Sequence, residues 1–559
     1  MAPTASAIVS NSASGKPGDM YEIIRMSLDG ICRLALRPGA GVPSGIVGVS
    51  TVPGFDNRQL WLVLGSLMLS VLLASMEISI IATALPTIVG EFQAFESFAW
   101  VGTAYIVTAA IGTPIFGKLS DLYGRRTVFL STLGIFVFGS LLCGFAQSMN
   151  QLIAFRAIQG FGGGAIQALA FAILGDILPP RERGRYIGYF TLAFVGAALL
   201  GPLIGGFIID HFSWPWIFFI NVPLGGVAGA VAWRALDLPF PRRKAKIDWL
   251  GAATLSVAIG AVMIALEVGQ DGWTKTPVLV LFAVGLLTTA VFVAVEQRAD
   301  EPIIPLRLFS DRAVLTATLL GMSAGTIAFG AGQFLPLYFQ DSLFVSPTES
   351  GLRMLPQMIG VTLGTFGIGR LIAKTGKCKP WPIAGTAIAV ASALVIAQIS
   401  GTTAYSTLFF PMIGLGFGMA SVFTTSSIVA QNAVEFRDLG VVTSTIMFFR
   451  SLGGSLGLAV FGTILNAAIR SEIPARLDVT ADQASDLIRS PEEIEALPLI
   501  ERTAVIDAVA IGVGRVYLVC AGVMAFGFVV ALLLPERPLR ARAGLSDAME
   551  QQPAPAAGE

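Results

Sequence analysis

The chain has 559 residues, 54% of them hydrophobic and only 13% charged, with a mean hydropathy of +0.75. Such a composition does not suit a soluble surface, so an all-α polytopic membrane protein is expected. Lys and Arg number 36 and Asp and Glu 36, so no net field favours nucleic acid; His211 is the single histidine, and Cys32, Cys143, Cys378 and Cys520 lie far apart. That inventory offers neither a metal centre nor a cofactor site, and it leaves a membrane enzyme, which needs clustered nucleophiles, bases or ligands, as a remote reading.

In chain order, residues 1–58 lack an apolar stretch long enough for a signal segment and read as a disordered cytoplasmic tail. Apolar runs able to cross a hydrocarbon core about 30 Å thick then recur near 60–86, 97–117, 127–147, 150–175, 186–208, 214–236, 248–268, 277–296, 313–339, 351–372, 381–399, 405–430, 440–466 and 511–534. Fourteen helices are predicted. Basic loops carrying Lys118, Arg125 and Arg126, then Arg181, Arg183 and Arg185, then Arg242, Arg243, Lys244 and Lys246, then Arg370, Lys374, Lys377 and Lys379 alternate with loops holding mainly Glu91, Glu96, Asp210, Asp271 and Asp341. The positive-inside rule then puts both termini in the cytoplasm.

Spacing also shows an internal repeat. GKLSDLYGRR from Gly117 matches GRLIAKTGKC from Gly369, and the same separation relates Gly201 and Gly205 to Gly453 and Gly457; Gly160, Gly162 and Gly164 meet Gly414, Gly416 and Gly418 two residues further on. Two pseudo-symmetric six-helix bundles with two extra central helices are implied, a plan in which a substrate site lies where the halves meet. The domain plan is a tail over 1–58, an N-terminal bundle over 59–237, linker helices over 247–297, a C-terminal bundle over 312–535 with an acidic external loop at 467–510, and a cytoplasmic tail over 536–559. A channel is disfavoured, since no repeat of like side chains lines a pore.

Two motifs exclude nucleotide chemistry. GTPIFGKLS from Gly112 nearly fits a phosphate-binding loop, but Leu119 occupies the position of the magnesium-binding hydroxyl and no strand precedes it; GFGGGA from Gly160 lies within a membrane helix, where glycines serve close helix contact. More informative is Glu77 in VLLASMEISIIATALP, a carboxylate inside an apolar run, where an unpaired charge costs several kcal/mol. Arg156 in FRAIQGFGGGA lies at a similar depth, roughly 9 to 12 Å from the outer surface at helical rise, so the two are expected to meet. Snorkelling of the arginine, or a pair that merely ties two helices, is the plainer alternative.

GKLSDLYGRR resembles the signature loop of the major facilitator superfamily between its second and third helices. The resemblance implies a cytoplasmic latch built from Gly117, Asp121, Gly124, Arg125 and Arg126, although the arginines by themselves are equally read as topological anchors. FRAIQGFGGGA resembles the fourth-helix motif of that family. GAALLGPLIGG, with Gly196, Gly201, Pro202, Gly205 and Gly206, resembles its antiporter motif, for which close helix packing is the alternative reading. SWPWIFFINVPLG and FFRSLGGSLGLAVFG, with Arg450, resemble the sixth and thirteenth helices of the fourteen-helix drug:proton antiporters. One departure is Glu77, where the first-helix motif usually carries aspartate.

The resemblance implies a proton-coupled antiporter that exports hydrophobic or amphiphilic compounds by alternating access, with Glu77 exchanging a proton as it moves relative to Arg156. An exporter of one endogenous lipid, siderophore or metabolite is the alternative. Trp100, Tyr105, Gln167, Gln333, Phe449 and Asn466 are candidates for the walls of a substrate cavity. The expected partners are a small amphiphilic substrate, protons and the lipid bilayer, with no nucleic acid, in a monomer of the plasma membrane; few lysines and abundant alanine and glycine point to a bacterial inner membrane.

Overall fold

The computed structural model describes residues 57–92, 98–236, 248–269, 272–477, 479, 480, 494, 495 and 497–540, and among these the elements are helices without a strand. The tails expected over 1–58 and 536–559 and the basic loop 241–247 lie wholly or largely outside the described residues. The long helices are α1 (Asn57–Phe92), α2 (Phe98–Tyr123), α3 (Arg125–Gly144), α4 (Met149–Ile177), α5 (Pro180–His211) and α6 (Asn221–Ala235). They continue as α7 (Trp249–Gly269), α8 (Thr276–Glu296), α9 (Arg312–Gly325), α10 (Leu355–Thr375), α11 (Pro380–Ile396), α12 (Tyr405–Ala433), α13 (Leu439–Glu472) and α14 (Leu499–Leu533). Ten helices are long and apolar enough to cross a membrane.

Lipid supplies no hydrogen bonds, so each polar group in these helices must be satisfied from within. The hydroxyls of Ser66, Ser70 and Ser75 in α1 donate back to the carbonyls of Val63, Ser66 and Val71. Helix ends follow local chemistry as well. Ser148 accepts from the Gln151 amide to cap α4, Asp311 accepts from Ala313 to cap α9, and Pro180 opens α5 where no amide is needed. Gly124 (φ 93°) and Gly376 (φ 68°), partners in the sequence repeat, both turn the chain through the left-handed region.

Packing reproduces the repeat. In the N-terminal bundle α2 and α3 both pack on α4, α1 on α5 and α6, and α3 on α6; in the C-terminal bundle α10 and α11 pack on α12, α9 on α13 and α14, and α11 on α14. Every helix thus finds the equivalent neighbours eight helices later. Between the bundles α7 and α8 pack on each other, and α7 touches both α2 and α13 through Leu255, Ile259 and Met263 with Val107 and Phe448. By contrast α8 leaves Leu279, Val280, Leu286 and Leu287 exposed.

Two expectations change. The span predicted over 313–339 is broken: α9 stops at Gly325, a π-helical turn over Thr326–Gly330 and a 3-10 turn over Ala331–Gln333 follow, and helix resumes at Phe334–Asp341. Glycines at 325, 330 and 332 and the missing amide of Pro336 explain the break. The external loop expected at 467–510 is shorter, because α13 runs to Glu472 and α14 starts at Leu499. Apolarity marks only the part of a helix in lipid, and here charged residues carry both helices beyond it, with Arg515 of α14 paired to Glu472 of α13.

The halves are pressed together at the end bearing the basic loops. Gly184 of α5 and Gly369 of α10 meet backbone to backbone, a side chain on Gly117 of α2 would collide with Ser444 of α13, and Thr191 of α5 lies 3.5 Å from Thr365 of α10. Gly369→Val is therefore expected to weaken closure of this seam by about 1–3 kcal/mol, the usual cost of overpacking. The check is thiol labelling of a Thr365→Cys probe, which should become faster when the valine is present; equal labelling would show that the contact does not hold the seam.

Candidate functional site: a buried ion pair and a latch

Glycines build the first site. Those of FRAIQGFGGGA let backbones touch α4: Gly160 lies against Tyr105 and Gly164 against Ala109, both of α2, while Gly162 lies against Thr132 of α3. A Cβ at any of these positions would force the helices apart. The close approach lays the Tyr105 ring 4.4 Å from the Arg156 guanidinium.

Arg156 and Glu77 are both 1% exposed, and Nη1 of the arginine lies 2.6 Å from Oε1 of the glutamate. Arg156 also donates to Gln159 Oε1 at 2.8 Å and to the Val101 carbonyl at 3.3 Å. On its other oxygen Glu77 accepts from Asn221 Nδ2 of α6 at 2.7 Å, and Asn221 also reaches Ser140 of α3 at 2.9 Å. Five helices thus contribute to the network around this carboxylate, which itself accepts from Arg156 and Asn221. Among the described residues Gln159 Nε2 and Asn221 Oδ1 have no hydrogen-bond partner, so the network keeps unused donor and acceptor capacity beside the carboxylate.

The second site crosses between the halves. Asp121 at the end of α2 accepts from the amides of Gly440 at 3.0 Å and Val441 at 2.8 Å, the first turn of α13. Free amides and the helix dipole both favour an anion there. Arg125 bridges Asp121 and Asp176, each at 2.6 Å. Arg183 donates to the carbonyls of Leu178 and Gly175 and to Gln431 of α12 at 3.2 Å, while Gln431 reaches back to the Phe171 carbonyl at 3.2 Å. Beside them Lys118 and Glu301 lie 2.6 Å apart.

Not every expected residue joins these sites. Arg126 stacks on Trp233 of α6 at 4.7 Å, inside its own bundle. Of the antiporter-motif glycines, Gly201 lies against Ser79, two residues from Glu77, so closely that an added Cβ would collide with it, and Gly205 is buried, whereas Gly196 and Gly206 face open space; the side chain of Pro202 is outside the described set. Among the cavity candidates Tyr105 belongs to the ion-pair site and Gln167 meets Ser75 at 3.3 Å. Trp100, Gln333 and Asn466 are exposed, and Phe449 packs on Phe309 in the cluster around α7. The sequence reading missed Asn221, Gln159, Ser140, Asp176, Arg183 and Gln431. Asp176, a carboxylate next to an apolar run, was the one with a usable signal.

Two six-helix bundles packed along a seam, with a charge pair buried in one of them, have the plan of a multi-pass membrane transporter built from parallel repeats. The family model described as Major Facilitator Superfamily matches residues 67–458, and the chain belongs to that superfamily, whose members are transporters and not enzymes. It is 39% identical over 406 residues to multidrug resistance protein 3 of Bacillus subtilis, covering 72% of this chain and 79% of that protein. It is 32% identical over 438 residues to an acurin A biosynthesis cluster transporter of Aspergillus aculeatus, covering 76% and 77%. Among solved structures the proton:xylose symporter XylE aligns with a TM-score of 0.59 at 13% identity, over 89% of this chain and 100% of that one, which shows the fold.

A buried pair loses far more when one partner goes than when both do. Arg156→Gln is therefore expected to destabilise the purified protein by about 3–5 kcal/mol, and adding Glu77→Gln to recover a large part of that. Thermal unfolding of the wild type, the two single variants and the double variant measures the coupling; additive losses would show that the two charges are energetically independent.

Proposed function

We propose that this transporter is a proton-coupled antiporter that expels amphiphilic compounds, with Glu77 as the proton carrier and Arg156 setting its affinity. The observation that carries the reading is the carboxylate itself: 1% exposed, held by Arg156 and Asn221, and flanked by the side-chain atoms Gln159 Nε2 and Asn221 Oδ1, which have no hydrogen-bond partner among the described residues. The reading also draws on the name of the multidrug resistance relative and on the basic-loop seam, which is closed here as an outward-facing state requires if both termini are cytoplasmic. In this reading the chain crosses the plasma membrane fourteen times, as a monomer.

One expectation is refined. Glu77 and Arg156 stand in the same bundle, so rocking of the halves does not pull them apart. Proton exchange then follows from which side admits water to the pair, and not from separation of the charges.

A second reading, export of a single endogenous product, is favoured by the relative that belongs to a biosynthetic cluster. Reconstituted vesicles with a trapped pH dye and an imposed proton gradient test both readings. In wild-type vesicles several unrelated lipophilic compounds should trigger proton movement, and Glu77→Gln should abolish it. Proton movement that persists in Glu77→Gln would remove the carrier role, and a response to none of the panel would favour the narrow exporter.

A further inference from the structure

Of the buried arginines described, Arg125, Arg156 and Arg183 each hold carboxylates or carbonyls. Arg450 does not. It lies on α13 ten residues past Gly440, the residue whose amide closes the latch, which is about 15 Å deeper at helical rise, and it is 9% exposed. Its guanidinium has no hydrogen bond or ion pair among the described residues, Nε is buried without an acceptor, and its neighbour is the ring of Phe423 on α12 at 4.5 Å. Phe423 in turn meets Phe171 of the other bundle edge to face at 5.6 Å, which sets the guanidinium beside the seam.

Several details make this a built site. Gly325 of α9 gives it room, since a Cβ there would collide with the Arg450 carbonyl and lie 2.8 Å from its Cγ. The repeat-related position in α5 holds Ala198, so packing symmetry does not require the cation. A guanidinium stays protonated in any protein environment, and a buried charge without a counter-ion carries a large desolvation penalty. An arriving anion would relieve it.

We propose that Arg450 docks a carboxylate carried by the exported molecule, with Phe423 seating the adjoining apolar body. Guanidinium and carboxylate match as a two-pronged pair. The inference rests on the efflux reading and narrows its substrate class to amphiphiles bearing an acid group.

The test compares two probes that differ in one group: a rhodamine dye with a free carboxylate and its ethyl ester, binding to purified protein followed by fluorescence anisotropy. The wild type is expected to bind the acid roughly 10- to 100-fold tighter than the ester, the range of a charge-assisted hydrogen bond. Arg450→Gln should bring that ratio within about twofold, and Arg450→Lys should keep part of it as a point charge. No preference in the wild type, no binding of either dye, or a preference retained in Arg450→Gln overturns the proposal. Should Arg450→Gln fail to fold, the wild-type ratio and the lysine variant decide. Vesicle assays separate the two levels: if the ester is exported against a proton gradient and the acid gains no advantage, efflux stands and the acid-docking role falls. If neither dye is exported, the efflux reading loses its support as well.

Discussion

A charge placed in hydrocarbon has to be answered by another charge, and in the N-terminal bundle that requirement decides how the helices stand. Glu77 on α1 and Arg156 on α4 are held at 2.6 Å, and further hydrogen bonds reach the pair from Val101 of α2 and Asn221 of α6, the latter also bonded to Ser140 of α3. The glycines of α4 follow from this, because only without side chains do the neighbouring backbones come near enough to bring Tyr105 and Val101 to the guanidinium. Small residues and buried charges are therefore parts of one arrangement. The apolar residues around them make the bundle compact, whereas the pair fixes which faces turn inward.

The latch obeys the same rule under a different demand. The ion pair lies within one bundle and moves with it, while the bonds from Asp121 to the amides of Gly440 and Val441 cross the seam and must break whenever the basic-loop end opens. Backbone amides at a helix start suit that task. Water can replace the carboxylate there, so each bond is worth only about 1.5–3 kcal/mol net, small enough to break and re-form during a cycle. Arg125 remains with Asp121 and Asp176 on its own side, so opening the latch does not strand a buried carboxylate without a cation.

Much of this was legible in the sequence, and the reasons are physical. Charges in apolar runs are costly enough that each has a cause, which singled out Glu77 and Arg156. The repeat was legible because glycines at close crossings tolerate no substitute, as Gly117 against Ser444 shows. Neutral polar residues such as Asn221 and Gln159 cost less to bury and so send no comparable signal. The proposed cavity walls carried less information still: an aromatic or amide side chain in a helix gives no rotational position, and exposure, as at Trp100, Gln333 and Asn466, is shared by residues that face lipid and residues that face an open cavity. The span of α1 was also underestimated, since it continues to Phe92. Glu77 and Arg156 meet because the helices protrude unequally.

The two bundles share a packing scheme but not a charge scheme. Equivalent helices touch equivalent neighbours, yet the paired charges stand in one half and the unpaired guanidinium in the other. Packing depends on shape and glycine placement, so a duplicated bundle retains it while polar positions are free to diverge. The extra pair α7 and α8 obeys a matching logic. By touching both α2 and α13 through Leu255, Ile259 and Met263, α7 bridges the two bundles with an apolar contact. Apolar contact has no preferred direction, so such a joint slides at less cost than a hydrogen-bonded one.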